Sequence, residues 1–188
     1  MVNDCMMKVT ETEIEGLKII DPDFYGDERG WFSETYHKPR YSGFGMDADF
    51  IQDNESFSKK GVFRGLHWQA PPFGQAKLVR VTRGRAVDIA VDIRKGSPTF
   101  GKWKSVLLSE SDHRQFYIPR GFAHGFYVLD DDTQFSYKCD NIYNKESERG
   151  LSPLDPELNL NLPTNIILSE KDKKHPFLKD IEPYEGGN

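Results

Sequence analysis

The sequence predicts an all-β sandwich or barrel with a few short peripheral helices, and two observations carry that expectation. Short segments of alternating character recur along the chain, punctuated by glycine, proline and aspartate, which is the pattern of many brief strands joined by tight turns. The second is size. A chain of 188 residues suits a single domain, spanning 1–188, that can bury a real core.

In chain order, LKII and GWFSETY open the series of strand-like segments, and a short helix is expected around residues 37–44. GVFRGLHWQ, residues 61–69, reads as sheet interrupted by Gly65. KLVRVTRG, RAVDIAVDIRKG, WKSVLLS, QFYIPRG, HGFYVLD and TQFSYKC follow as further strands. From Asn144 the strand signal fades into a polar, proline-containing stretch, DPELNLNLPTN, so 144–188 is read as a C-terminal cover over the sheet. Within it LSEKDKKHPFL suits one helical turn with Ser169 as its cap and Asp172 completing a capping box.

Charge and cysteine usage narrow the function. A formal net charge of -5 and a pI near 5.6 argue against a general nucleic-acid surface, while leaving room for a local basic pocket around one phosphorylated ligand. Cys5 and Cys139 are far apart and in no metal-type spacing, which favours a reducing, cytoplasmic setting over a disulfide framework. No stretch approaches the ~18 consecutive apolar residues of a membrane span, and neither a signal peptide nor a membrane partner is expected.

Strand parity then points to a pocket. Successive side chains of a strand alternate between faces. Lys77 therefore shares its face with Val79 and Val81, His124 with Phe122, Phe126 and Val128, and Tyr137 with Thr133, Phe135 and Cys139. If those apolar faces line the interior, Lys77, His124 and Tyr137 converge there, and a buried ammonium is costly without a partner or ligand. Parity alone puts Arg64 and His67 on opposite faces, unless a bulge at Gly65 turns both inward.

Each residue also has a plainer reading: a core histidine satisfied by a hydrogen bond, a tyrosine that merely packs, a lysine that snorkels to a rim. Their coincidence weighs against it, as do the glycines beside Arg64, His67 and His124, which permit close approach of a ligand. Residue 69, two after His67, is glutamine, so there is no closely spaced HxH pair and no metal is expected. No GxSxG stretch is present and Cys139 has no evident base. General acid/base chemistry remains, with histidine, of ordinary pKa about 6.5, as its usual base.

DERGWFSETY, QDNESFS, GVFRGLHWQ, GQAKLVRVTRG, VDIAVDIRKGSPTFGKW, IPRGFAHGFYVL and LSEKD resemble, in order and spacing, the motifs of the dTDP-4-dehydrorhamnose 3,5-epimerase family, over residues 14 to 180. The resemblance implies a cupin jelly roll, a homodimer with N-terminal strands at its interface, and no metal or cofactor. It also implies epimerisation at C3 and C5 of dTDP-4-dehydro-6-deoxy-D-glucose, giving dTDP-4-dehydro-L-rhamnose on the way to dTDP-L-rhamnose. By position, His67 matches the family's base, Asp172 the carboxylate that orients it, Tyr137 the acid on the opposite face of the sugar, and Lys77 the cation near the C4 oxygen. Gln52, Asn54, Arg64 and His124 match substrate contacts, and Tyr143 the aromatic that stacks on thymine. Glu148 and Lys171 fall at the pocket rim, whereas Arg29 and Glu34 match positions that reach the nucleotide from the neighbouring subunit.

The chain departs from the family where tryptophans are common, with Pro153 and Leu162 at about those places. A rearranged C-terminal cover with unchanged chemistry is expected. Two rival functions are carried forward: a C3-only epimerase of a related nucleotide 4-keto-sugar, and a non-catalytic sugar-binding cupin.

Overall fold

The computed structural model describes residues 7–186; Cys5 lies outside them. Strands β1 (Lys8–Glu11), β2 (Lys18–Asp21), β5 (Gln52–Ser58), β7 (Lys77–Arg83), β10 (Gln115–Ile118) and β12 (Thr133–Cys139) form one antiparallel sheet in the order β1-β2-β10-β7-β12-β5. Strands β6 (Phe63–Gln69), β8 (Arg85–Asp92), β9 (Trp103–Ser109), β11 (Phe122–Val128) and β13 (Glu148–Gly150) form a second in the order β13-β6-β11-β8-β9. A separate hairpin joins β3 (Tyr25–Asp27) to β4 (Gly30–Phe32). The helix expected around 37–44 is present as α1 (Lys38–Ser42), started by His37, whose ring accepts from the Arg40 amide.

Two sheets face each other across a jelly-roll core, and parity assigns their residues as the sequence suggests. Val79, Val81, Phe116, Ile118 and Phe135 come from the first sheet; Ala90, Val106, Leu108, Phe122, Phe126 and Val128 from the second. At the centre the rings of Phe126 and Phe135 stack at 3.8 Å. Burial of this kind stabilises by roughly 25 cal/mol per Å² of apolar surface.

The second sheet is covered on its outer face too. Phe63, Leu66, Trp68, Ile89, Val91 and Ala123 pack there against Leu151, Leu158 and Leu160 of the C-terminal stretch, with Leu162 at the margin. This is why β8, RAVDIAVD, is buried almost end to end. Pro153, in the same C-terminal stretch, is buried as well. On the outer face of the first sheet, Leu78 and Tyr117 pack under α1 with Tyr41 and Met46.

Strand β5 carries no apolar alternation that marks it as a strand in the sequence. Its inward positions are polar, Gln52, Asn54 and Ser56, so the usual apolar alternation is missing. It forms an edge of the first sheet, pairing only with β12.

Candidate active site

One end of the sandwich opens into a cavity of about 670 Å³. Arg64 and His67 enter it from β6, Lys77 from β7, His124 from β11, Tyr137 from β12, and Gln52, Asn54 and Ser56 from β5. Tyr143, Glu148, Lys171 and Asp172 close its rim. Every site residue named from the sequence lines this cavity except Arg29 and Glu34.

Gly65 resolves the parity conflict between Arg64 and His67. The pairing of β6 with β11 runs His124↔His67 and then Phe126↔Arg64, so β6 spends one extra residue between the two. Gly65 has φ +120, and a Cβ there would meet Gly125 Cα and the His124 carbonyl oxygen at 2.6 Å. Only glycine fits such a bulge.

His67 and Asp172 form the centre of the site. Their Nε2 and Oδ1 atoms are 2.7 Å apart, with Asp172 buried and His67 about one-third exposed. Burial works to raise the Asp172 carboxyl, but the hydrogen bond and positive charge from His67, with the Ser169 contact, outweigh it and hold the group below the usual range. As a carboxylate it accepts Nε2–H from His67, leaving Nδ1 as the acceptor that can take a proton. Ser169 caps the turn Asp172–Lys174, its Oγ accepting from the Asp172 amide at 3.0 Å. The Asp172 carboxylate is committed to His67, so the capping box is only half built.

Lys77 is buried, and among the described residues its ammonium makes no ion pair or hydrogen bond. Burial pulls its pKa down, opposed by Cys139, Asp88, Asp140 and Glu148. Tyr137 has no hydrogen-bond partner for its hydroxyl among the described residues, and burial pushes its pKa up, keeping the phenol protonated. Cys139, beside Lys77, is buried and pushed up to about 11, so it is no nucleophile at neutral pH.

His124 donates to, or accepts from, Asp88 Oδ2 at 2.8 Å, both side chains being buried. Burial opposes charge on either partner, holding His124 down and Asp88 up, so the pair behaves as one shared proton rather than two full charges. Asp88 was not singled out in the sequence, although an acidic residue inside an otherwise buried strand was a visible signal. Its Oδ1 has no partner among the described residues, nor does the buried Ser56 Oγ.

The rim is tied together by hydrogen bonds. The Tyr143 hydroxyl donates to Glu148 at 2.8 Å, Lys171 pairs with Glu148 at 2.5 Å, and the Tyr143 amide donates to Gln52 Oε1 at 3.2 Å. Gln69, noted in the sequence only for not being histidine, bonds Phe73, Ile142 and Asn144 and so fixes the loop that presents Tyr143. Arg64 is held by Ser58 at 3.0 Å.

His175 was also missed. Its Nε2 lies 3.2 Å from the same Asp172 Oδ1 that meets His67. His67, Asp172 and His175 are the donors that could come together on a metal ion, yet in this arrangement both imidazoles are engaged in hydrogen bonds to one carboxylate oxygen.

Arg29 and Glu34 lie elsewhere. Arg29, in the turn between β3 and β4, is exposed and bonded to Asp27, and Glu34 sits 3.2 Å from Arg40. Around them the hairpin exposes Trp31 at 58% and Phe32 at 67%.

Fold and pocket together define a jelly roll with an acid/base type of site, a carboxylate-bonded imidazole, a buried lysine and a protonated phenol on one cavity. A family model described as dTDP-4-dehydrorhamnose 3,5-epimerase matches residues 11–180. The dTDP-4-dehydrorhamnose 3,5-epimerase of Shigella flexneri is 49% identical over 88% of this chain and 93% of its own length. The crystal structure of dTDP-6-deoxy-D-glucose-3,5-epimerase from Legionella pneumophila, in complex with dTDP-4-keto-L-rhamnose, superposes with a TM-score of 0.92. It is 47% identical and covers 97% of this chain and 100% of that one. A 3′-monoepimerase from Streptomyces bikiniensis, in complex with dTDP-quinovose, is more distant, 34% identical with a TM-score of 0.84 over 89% of this chain and 86% of that one. The chain belongs to the dTDP-4-dehydrorhamnose 3,5-epimerase family, and it is an epimerase.

Proposed function

We propose that the chain epimerises C3 and C5 of dTDP-4-dehydro-6-deoxy-D-glucose, with His67 as base, Lys77 at the oxyanion and Tyr137 as acid. The observation that carries this reading is their joint placement: the bonded His67–Asp172 pair, and a Lys77 ammonium and Tyr137 hydroxyl without partners among the described residues, line one cavity.

The hydrogens on C3 and C5 are alpha to the C4 ketone. His67 Nδ1 takes one of them, the electron pair moves onto the C4 oxygen, and Lys77 stabilises the enolate charge where it develops. Asp172 holds the imidazole in the needed tautomer and stabilises the imidazolium. Tyr137 then gives its proton to the same carbon from the other side, inverting it, and the two groups re-equilibrate with solvent before the second carbon is treated. Each well-placed acid or base contributes about 10²–10⁴-fold in rate.

In this reading Arg64, His124, Gln52 and Asn54 hold the sugar and diphosphate, Tyr143 stacks on thymine, and Glu148 and Lys171 set the rim. Arg29 and Glu34, which do not line the cavity of their own chain, serve the site of a second copy in a homodimer joined through the exposed aromatic hairpin. The reaction needs no cofactor, and its nucleotide-sugar substrate suits the cytoplasm; among the described residues no helix is long and apolar enough to cross a membrane.

The test is product analysis by NMR with the dTDP-4-keto sugar, using a reductase to trap any L-sugar. Wild type should yield the doubly inverted product, and His67→Ala should lose about 10²–10⁴-fold or more in turnover with nucleotide affinity within a few-fold. Activity of the variant above a tenth of wild type would reject His67 as base.

A further inference from the structure

The segment that carries Asp172 also brings a second imidazole to it. Asp172 and His175 are three residues apart on one helical turn, a spacing that puts their side chains on the same side. The His175 ring lies directly over Gly150, where a Cβ would come within 2.1 Å of ring carbon Cε1. Gly150 is the register partner of His67 across the β13–β6 pair. The absent side chain at 150 is thus the space that lets the His175 ring reach Asp172 Oδ1, edge-on to His67 at a centroid distance of 5.4 Å.

We propose that His175 is a positioning residue for the His67–Asp172 pair: its Nε2–H donates to Asp172 Oδ1, fixing the carboxylate and sharing the oxygen that supports His67. The proposal rests on the reading of His67 as base. A carboxylate oxygen that accepts two N–H groups offers less to each, so the His67 imidazolium formed on proton abstraction is supported less strongly than by an undivided acceptor. His175 itself stays neutral and remains a donor, because burial and the nearby His67 charge hold its pKa down. The other groups facing the two imidazoles are Asp172 and Lys171 on the C-terminal segment, Glu148 from β13 and His124 from β11.

His175→Phe keeps a ring over Gly150 but removes the donor, whereas His175→Gln keeps an N–H. Two readouts are taken: the NMR titration midpoint of the His67 imidazole, and the acid limb of kcat/KM, which reports the free enzyme's base. In His175→Phe both should move to higher pH, on the order of 0.5 unit, with kcat reduced and KM within about twofold. His175→Gln should lie close to wild type. A second variant, Gly150→Ala, which pushes the ring off Asp172 with no change to any titrating group, should move the midpoint in the same direction. An unmoved His67 midpoint in His175→Phe and Gly150→Ala, or an equal effect of Phe and Gln, would overturn the proposal. A midpoint that moves while the kcat/KM limb stays still would uphold the sharing of Asp172 and refute instead the assignment of His67 as base.

Discussion

Replacing His124 by leucine removes one half of a fully buried pair and strands the other. Asp88 already has one oxygen without a partner among the described residues, and His124 supplies the hydrogen bond to the second at 2.8 Å. Breaking a buried pair from one side typically costs about 3–5 kcal/mol, because the remaining group keeps its desolvation penalty without its compensation. For a chain of this size 1 kcal/mol moves Tm by roughly 2–4 °C, so a fall of about 6–20 °C is expected. The loss should depend on pH with a definite sign. Burial already raises Asp88 above its ordinary carboxylate value. Without His124 the folded state holds that proton more tightly still, while the unfolded chain releases it near pH 4. The Asp88 contribution to the variant's stability is therefore fullest below about pH 4 and declines as pH rises, by up to about 1.4 kcal/mol per unit, until Asp88 ionises in the folded state. The double variant His124→Leu with Asp88→Val removes both polar partners and should recover most of the stability, since apolar replacement of a buried pair is often neutral or better. Both variants should lose activity, since each lacks the imidazole that the proposed function places on the substrate. Urea unfolding at fixed protein concentration, between pH 5 and 8, measures all of this. A single variant within about 1 kcal/mol of wild type at every pH would show that the buried pair does not stabilise the fold, and an active double variant that His124 does not serve the substrate.

Two further outcomes concern metal and assembly. Exhaustive chelation should leave the rate unchanged, because both imidazoles near Asp172 are engaged by its carboxylate; a rate lost on chelation and restored by a metal would contradict this. Arg29→Ala should raise KM more than it lowers kcat, the signature of lost uniform binding. Mixing Arg29→Ala with His67→Ala subunits should restore one intact site per heterodimer, and verified heterodimers without activity would argue against a shared site.

Much of the fold was legible because apolar alternation marks strands that face a core. That pattern gave the inward faces of Lys77, His124 and Tyr137, and Val79, Phe126 and Phe135 do bury beside them. It was silent on β5, whose inward residues Gln52, Asn54 and Ser56 face the cavity and not the core. Parity also misplaced Arg64 relative to His67 until the bulge at Gly65 was allowed, and a bulge depends on the close passage of Gly125, which no local pattern encodes. The partners of the site histidines were the least legible. Asp88 meets His124 only through the β8–β11 register, and His175 meets Asp172 only because Gly150 on another strand makes room. Asp172 itself fitted a capping box, a local reading that its contact with His67, 105 residues away, overrides.

In the proposed reaction protons leave the sugar to His67 on one face and return from Tyr137 on the other, and Tyr137→Phe in D₂O separates the two steps. The change keeps the ring that packs against Phe135 and removes only the hydroxyl. His67 can still take and return protons on its own side, so the variant should exchange hydrogen alpha to the ketone for deuterium while forming little inverted sugar, the C5 product being most depleted. Wild type should couple exchange to inversion at both carbons. If Tyr137 only packs, a volume-conserving swap should be nearly neutral, under about 1.5 kcal/mol in stability, with activity intact. Inversion at C5 by Tyr137→Phe at close to the wild-type rate would contradict the two-faced mechanism.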